Sequence, residues 1–371
     1  MKTILKVGVI GGGAMGQGIA SLVAQSGIPV VIKEINEELA QKALENIFSK
    51  IDKAAERGKI MSDKADMAKS LISASSDEIF LTNVDLVIEA VFEDMEVKKK
   101  VFHSLDFVVP KRAIFATNTS SLSITEMASA TERPKQVVGM HFFNPPITMP
   151  LVEIISGKET DEETVETVEQ FARDLSKTTI RVKECPGFLV NRLLMPYLNE
   201  AVLLLSETTL KPEEIDRQAV EFGWRMGPFM LLDYLGIDIA AHVARILFQG
   251  FGERAKPAPL MEILANEKRY GVKTSAGFYV YQPDAGFEDI MKIVEKNFPQ
   301  RRPLSPEEGF MRMMRGMANE ALLCLDEGIS TAEDIETGCR LGIGFPFTKL
   351  GPLHWAEKEM GKKIFTEEEK W

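Results

Sequence analysis

The sequence predicts an α/β fold in which a doubly wound, mostly parallel sheet is followed by an all-helical domain that is duplicated. Runs typical of buried strands alternate with helical segments up to residue 182, and helical periodicity with few strand signals follows residue 185. One helical pattern then recurs 120 positions further on, from Asn199 to Asn319. These observations predict domains at residues 1–184, 185–299 and 300–371.

The composition excludes several classes of protein. The 371 residues are 45% hydrophobic and 27% charged, which is typical of a globular chain, and the net charge of −11 disfavours binding to nucleic acid or to an anionic membrane. No apolar run approaches the roughly 20 residues of a membrane helix. The three cysteines, Cys185, Cys324 and Cys339, lack the spacing of metal ligands or of a redox pair. We therefore expect no metal and a reduced, cytoplasmic location.

The predicted strands are short apolar runs bounded by turn residues. They cover residues 4–10, 29–34, 84–91, 113–117, 137–143, 151–155 and 178–182. The first run leads directly into glycines and then into a helical stretch at residues 18–26. This order of strand, glycine turn and helix is typical of a Rossmann-like domain.

The glycine turn predicts a dinucleotide site. Gly11 permits a tight turn, Gly13 leaves room for a pyrophosphate, and Gly16 lets the helix pack closely on the strand. Glu34 ends the next strand, 18 positions beyond Gly16, where a carboxylate accepts hydrogen bonds from ribose and repels a 2′-phosphate. NAD is therefore favoured over NADP, although Lys33 softens that repulsion. The alternative is a purely structural glycine turn.

A histidine and a carboxylate predict acid–base chemistry. His141 stands at the end of an apolar run, where open α/β sheets place reactive groups. Glu153 lies inside another apolar run, where a carboxylate is costly unless it is paired. Together they would form an oriented general base. Taken singly, His141 is equally well a packed core histidine, and Glu153 a capping carboxylate.

Five motifs carry a specific resemblance. They are His141-Phe-Phe-Asn-Pro145, Asn118-Thr-Ser-Ser-Leu122, Met149-Pro-Leu-Val-Glu153, Pro186-Gly-Phe-Leu-Val-Asn-Arg192 and Gly227-Pro-Phe-Met-Leu-Leu-Asp233. Over about residues 4–282 the sequence resembles the L-3-hydroxyacyl-CoA dehydrogenase family. Within that family, its pattern of motifs is most similar to the dehydrogenase half of multifunctional fatty-acid β-oxidation enzymes, which also carries a duplicated helical domain.

The resemblance implies NAD-dependent, reversible oxidation of (S)-3-hydroxyacyl-CoA to 3-oxoacyl-CoA. His141 would take the hydroxyl proton and Glu153 would orient it, while Ser120 and Asn191 would hydrogen-bond the reacting oxygen and the cofactor or thioester region. Four further residues are implied at the cofactor: Glu93, Lys98, Asn144 and Lys273. Local sequence alone leaves plainer roles open, namely a helix cap for Ser120, a structural amide for Asn191, and a solvated helix face for Glu93 and Lys98.

A basic stripe predicts where coenzyme A binds. Lys50, Lys53 and Arg57 follow helical spacing opposite an apolar face formed by Leu39, Ala43, Ile47, Ile51 and Ala54. By resemblance, the helix pair that follows the second strand holds the 3′-phosphate end of coenzyme A, with Lys50 and Arg57 as ligands. A merely solvated basic face is the alternative.

The repeat predicts the state of assembly. Met311 aligns with Asn191, so the second helical copy has lost the polar group and is expected to be structural. Held by a linker near Pro303, it would cover the face that a partner subunit covers in two-domain relatives. We expect a pseudo-dimer within one chain that is monomeric through this interface. Because this chain lacks a hydratase domain, a separate enoyl-CoA hydratase is a candidate partner.

Two other functions compete with the leading one. β-Hydroxyacid and sugar-nucleotide dehydrogenases have folds similar to the one predicted here, but their active sites are built around a lysine. This sequence instead offers His141 with Glu153. A dinucleotide-binding structural protein on the same fold is the non-enzymatic reading. The combination of Ser120, His141, Glu153 and Asn191 argues against it.

Overall fold

The computed structural model describes residues 2–282 and 286–364. The chain divides into two compact units, residues 1–184 and residues 185–371. The division falls where the sequence predicts its first domain boundary. The linker predicted near Pro303 precedes a helix that begins at Pro306.

The first unit contains one eight-stranded sheet. Its strands are β1 (Val7–Ile10), β2 (Val30–Lys33), β3 (Ile72–Ser75), β4 (Leu86–Glu89), β5 (Ile114–Thr117), β6 (Val137–Phe142), β7 (Leu151–Ser156) and β8 (Thr178–Lys183). Their order across the sheet is β3-β2-β1-β4-β5-β6-β7-β8. All neighbours are parallel except β6 and β7. The predicted doubly wound, mostly parallel sheet is confirmed.

Two details of the strand prediction are wrong. The first strand begins at Val7 rather than at residue 4, because Leu5 is exposed and its N–H donates to the Asp85 side chain. β3 was not predicted at all, because it is a short edge strand with two serines and two alternating apolar residues.

Helices cover both faces of this sheet. They are α1 (Ala14–Gln25), α2 (Glu37–Glu56), α3 (Ser62–Ser70), α4 (Met95–Asp106), α5 (Ile124–Ala128) and α6 (Glu162–Asp174). α1 begins directly after the glycine turn, four residues earlier than predicted, and it buries Ile19, Leu22 and Val23 against the strands. The burial of these side chains, not helix propensity, fixes the helix on the sheet.

The strand order places the candidate site. β2 and β4 lie on opposite sides of β1, so the chain reverses its winding direction there. The carboxyl ends of parallel strands β1, β4, β5 and β6 meet at one edge of the sheet. Ligands of open α/β sheets bind at this edge, beside such a reversal.

The second unit is helical. Its helices are α7 (Val190–Glu207), α8 (Pro212–Phe222), α9 (Pro228–Leu235), α10 (Ile237–Phe251), α11 (Pro259–Asn266), α12 (Ile290–Asn297), α13 (Pro306–Asp326), α14 (Ala332–Gly338) and α15 (Pro352–Met360). The buried acid Asp216 on α8 accepts hydrogen bonds from the first N–H groups of α9. Its repeat equivalent Glu336 on α14 does the same for α15. The predicted duplication of the helical domain is confirmed.

Reciprocal ion pairs join the two copies. Arg192 on α7 pairs with Glu320 at 2.7 Å and with Glu327 at 2.8 Å. On α13, Arg312 pairs with Glu200 and with Glu207, the latter at 3.0 Å. Each residue of the second set lies 120 positions from its equivalent in the first. Such exchange of equivalent contacts is the signature of a two-fold interface, here built within one chain.

Candidate active site

The glycine turn has the geometry that a dinucleotide requires. Gly11 has φ +96°, a conformation that side chains disfavour, and a Cβ on Gly16 would lie 1.9 Å from the carbonyl oxygen of Gly11. Beside Gly13 there is open space. No described side chain caps α1 and no acid occupies its first turn, so its N–H groups suit a phosphate.

Glu34 lies immediately after β2 and faces this turn. Its carboxylate accepts hydrogen bonds from the N–H of Gly12 at 2.5 Å and the N–H of Ile35 at 3.0 Å. The charge is thus held beside the turn, as the sequence predicts. Lys33 pairs instead with Glu78 at 3.6 Å, which draws its charge away from Glu34.

His141 and Glu153 form a direct pair. They lie opposite each other in the antiparallel register of β6 and β7, with Nδ1 of His141 2.6 Å from Oε2 of Glu153. Glu153 is fully buried and His141 is 8% exposed. With Glu153 ionised, Nδ1 carries the ring proton, so Nε2 is the nitrogen that accepts a further proton. The direct pair therefore argues against the two alternatives, a packed core histidine for His141 and a capping carboxylate for Glu153.

Ser120 lies in the loop after β5, beside a carboxylate. Oε1 of Glu93 accepts from the Ser120 N–H at 2.9 Å, from the Ser120 hydroxyl at 3.2 Å and from the Thr119 hydroxyl at 2.6 Å. The alternative role of Ser120 as a helix cap does not hold, because Ser123 is the residue that caps α5. Asn118 accepts from the N–H of Phe142 and so joins this loop to the histidine strand.

Lys98 is buried rather than solvated. It is 1% exposed, and its ammonium lies 2.7 Å from Glu89 and 3.2 Å from Glu93. The solvated helix face considered for Lys98 is therefore wrong. Glu89 was not predicted as a site residue, although an acid at the end of the apolar run Leu86-Val-Ile-Glu89 was a signal of the same kind as Glu153.

Lys177 is a second residue that sequence reasoning missed. Its buried ammonium donates to the carbonyl oxygens of Pro146 at 2.6 Å and Met149 at 2.9 Å, and burial lowers its pKa. These bonds hold the loop between β6 and β7, which begins near Asn144. Asn144 itself is exposed. The loop is thereby fixed at the end of the strand that carries His141.

The basic stripe lies only partly on a helix. Lys50 is exposed on α2 and donates to Gln17 at 3.0 Å, and Gln17 in turn donates to the carbonyl of Gly12. Arg57 is exposed but ends α2 as its C-cap, so its place within the helix was predicted wrongly. The residues of α2 that are buried are Ala40, Ala43, Ile47 and Ile51, whereas Leu39 is exposed.

Asn191 and Lys273 belong to the helical unit. Asn191 lies in the first turn of α7. Lys273 lies in a short turn after α11, and Asp238 holds its ammonium at 2.6 Å. Their contacts with cofactor and substrate stay predictions.

The described residues contain neither a metal-binding cluster nor a membrane-spanning helix. No group of three or more histidine, cysteine, aspartate or glutamate side chains could hold a metal ion. Within residues 2–282 and 286–364, no helix is long and apolar enough to cross a membrane.

Family models match nearly the whole chain. The 3-hydroxyacyl-CoA dehydrogenase NAD binding domain matches residues 6–185, and the C-terminal domain of the same family matches residues 187–281 and 309–370. The chain belongs to the 3-hydroxyacyl-CoA dehydrogenase family. The predicted family and cofactor are confirmed, and the turn geometry described above fits NAD.

Individual relatives agree with the family. A fatty acid oxidation complex subunit alpha from Vibrio parahaemolyticus is 38% identical over 97% of this chain, but the match spans only 52% of that protein. A 3-hydroxybutyryl-CoA dehydrogenase from Escherichia coli K12 has a TM-score of 0.87 at 28% identity, covering 96% of this chain and 92% of its own. An (S)-3-hydroxybutyryl-CoA dehydrogenase from Ralstonia eutropha has a TM-score of 0.74 at 38% identity, covering 76% of this chain and all of its own.

Proposed function

We propose that this chain oxidises (S)-3-hydroxyacyl-CoA to 3-oxoacyl-CoA in fatty-acid or short-chain acyl-CoA metabolism, and catalyses the reverse reaction. The observation that carries this proposal is the buried pair of His141 and Glu153 at the sheet edge that also holds the glycine turn. The glycine turn and the first N–H groups of α1 would hold NAD, which would supply the hydride acceptor for this oxidation. The chain's own residues supply binding, orientation and proton transfer.

The proton path begins at Nε2 of His141. This nitrogen takes the hydroxyl proton as the carbinol is oxidised, and Glu153 stabilises the imidazolium that results. Ser120 positions the reacting oxygen from the neighbouring strand end, and Asn191 is assigned to the cofactor or thioester region. In the reverse direction the same imidazolium returns the proton to the carbonyl oxygen.

The test compares two substrates that differ in the CoA group. Loss of NADH absorbance is measured with acetoacetyl-CoA and with free acetoacetate. We expect turnover of the thioester only. Turnover of the free acid alone would favour a β-hydroxyacid dehydrogenase, and NADH binding without turnover of either compound would favour a structural dinucleotide-binding protein.

Glu34 is proposed to select NAD. Glu34→Ala removes the negative charge beside the turn, so the repulsion of a 2′-phosphate is lost and the kcat/KM for NADPH relative to NADH should rise. Glu38→Ala, which removes an exposed charge from the first turn of α2, is the matched control. An unchanged cofactor ratio in Glu34→Ala would place the selectivity in other residues.

Lys50 and Arg57 are proposed to bind the phosphates of coenzyme A. Each alanine variant should raise the KM for acetoacetyl-CoA, more strongly at low salt than at high salt because exposed charges are screened. The KM for NADH should not change. Lys64→Ala, an exposed lysine on α3, serves as the control. Equal KM values at both salt concentrations would favour a solvated face without a ligand.

The assembly proposal rests on the reciprocal ion pairs. We expect the full chain to be monomeric through the face between α7 and α13, because the second copy already covers it. Light scattering measures this, and a version ending at residue 299 should dimerise or aggregate. A full-length dimer whose contacts map to α7 would contradict the proposal.

A hydratase partner and a cytoplasmic location complete the proposal. The chain spans about half the length of its curated relatives, which are named subunits of a fatty acid oxidation complex. A separate or fused enoyl-CoA hydratase would supply the 3-hydroxyacyl-CoA substrate. The three free cysteines, two of them buried, are consistent with a reducing compartment.

A further inference from the structure

We propose that Lys177 is a positioning residue of the dehydrogenase site, which acts by holding the loop between β6 and β7 so that His141 and Glu153 keep a fixed position relative to α1. The inference rests on the proposed function, because the position of this pair matters only if it transfers a proton. It assigns a task to a buried cation that neither the glycine turn nor the acid–base pair explains.

The ammonium of Lys177 gathers three carbonyl oxygens of this loop. It donates to Pro146 at 2.6 Å, to Met149 at 2.9 Å and to Ile147 at 3.3 Å. Lys177 is only 7% exposed, so these carbonyls replace the water that a lysine would otherwise bind. An ammonium has three protons, which matches the three carbonyls in number. Loss of the amine would remove the donor that these carbonyls share and would free the loop to change its shape.

The chain on either side of Lys177 is itself fixed. The N–H of Lys177 donates to the carbonyl of Ala172, in the last turn of α6, at 3.0 Å. The next residue, Thr178, begins β8, and its N–H donates to the Pro150 carbonyl at 2.8 Å. Because β8 pairs in register with β7, the amine reaches the loop from a rigid base.

The loop connects the acid–base pair to the helix after the glycine turn. It leaves β6 one residue beyond His141, and Glu153 is the third residue of β7. On its other side the loop lies against α1, where a Cβ on Gly18 would come within 2.8 Å of Cδ of Pro146. Only glycine permits so close an approach, and Gly18 is not one of the three glycines of the dinucleotide turn.

A shift of the loop would therefore move the pair relative to α1, whose first N–H groups suit the phosphates of NAD. A displacement of about 1 Å between reacting groups lowers a rate by about 100-fold. The effect should fall mainly on kcat, because the change leaves the residues of the glycine turn as they are.

The first experiment replaces Lys177 with methionine, a side chain of similar length without the charged donor. We expect kcat with acetoacetyl-CoA to fall by about 10- to 100-fold, and the dissociation constant of NADH, measured by fluorescence, to change by less than about threefold.

Arg133→Lys is the matched control for Lys177→Met. Arg133 is also buried and donates to loop carbonyls, those of Val109 and Pro110, but this loop precedes β5 and so lies at the end of the sheet away from the site. Chemical denaturation should show a loss of stability in this variant, while kcat should stay at the wild-type value.

Gly18→Ala tests the contact between loop and helix from the other side. Alanine within a helix ordinarily stabilises it relative to glycine, but here the added Cβ displaces Pro146, so kcat should fall by about threefold or more. Gly316→Ala on α13 is the control, because its Cβ would lie 3.4 Å from the Pro196 carbonyl, an ordinary contact. That variant should keep the wild-type kcat.

Two further readouts separate positioning from general stability. In the double variant His141→Gln/Lys177→Met, kcat should be within about twofold of that of His141→Gln alone, because Lys177 acts through the pair. Thr148 and Met149 donate their N–H groups to the Pro145 carbonyl within the loop. Their amide hydrogen exchange should be faster in Lys177→Met than in the wild-type chain.

Three results would overturn the proposal: a wild-type kcat in Lys177→Met, an equal loss of kcat in Arg133→Lys, or a further loss of about tenfold when Lys177→Met is added to His141→Gln. If Lys177→Met does not fold, an unchanged kcat in Gly18→Ala overturns it instead. If the wild-type chain lacks activity, the proposed function fails on its own. Unchanged amide exchange of Thr148 and Met149 in Lys177→Met would then contradict the positioning role separately.

Discussion

His141→Gln should lower kcat by about 100- to 10,000-fold, the contribution of a general acid–base group. The dissociation constant of NADH should remain near that of wild type, because His141 lies on β6 whereas the glycine turn follows β1. The measurement combines steady-state rates with acetoacetyl-CoA and a fluorescence titration with NADH. A variant that keeps most of its turnover would show that the proton moves through another group.

Glu153→Gln tests whether the histidine and the carboxylate act as one unit. The amide keeps the shape but loses the charge that stabilises the imidazolium, so kcat should fall with little change in KM. Residues that act together are not additive, so the double variant should lose little more than the worse single variant. Fully additive losses would indicate a separate role for Glu153.

Arg192→Ala should destabilise the helical unit far more than Arg312→Ala, although the two arginines are equivalent in the repeat. Arg192 is 1% exposed, and its removal leaves Glu320 and Glu327 without their closest cation. We expect a loss of about 3 kcal/mol in the free energy of unfolding. Arg312 is 28% exposed, so its loss should cost about 1 kcal/mol or less.

Chemical denaturation of the two full-length variants measures this difference side by side. The comparison is matched, because each arginine bridges two glutamates of the other copy. An equal loss of free energy of unfolding in the two variants would contradict this expectation, because it would show that the buried and the half-buried arginine contribute equally to stability. In that case the first copy would not be the more deeply packed partner.

The sequence was sufficient for features that rest on several local signals at once. The strand before Gly11, the glycines and the helix after them lie within 20 residues and reinforce one another. His141 and Glu153 could each be singled out, because a polar group in an apolar run needs a partner. That they face each other depends on the antiparallel register of β6 and β7, which the spacing of 12 residues does not determine.

The parts that could not be predicted depend on tertiary contacts. Lys98 lies in the first part of α4, where a lysine is usually solvated, but here it is buried and pairs with Glu89 at the end of β4. Arg57 continues the helical spacing of Lys50, but the chain turns at Gly58 with φ +67° and the helix ends first. Edge strand β3 was missed because its serines interrupt the apolar pattern.

The most direct test of the central claim is the rate of oxidation of (S)-3-hydroxybutyryl-CoA and its (R) enantiomer, with NAD and NADP side by side. A chiral carbinol must present its hydroxyl to His141 and its hydrogen to the cofactor at the same time, so only one enantiomer can react productively. We predict turnover of the (S) compound with NAD, and little with NADP or with the (R) compound. Oxidation of both enantiomers at equal rates, or of neither, would contradict the account.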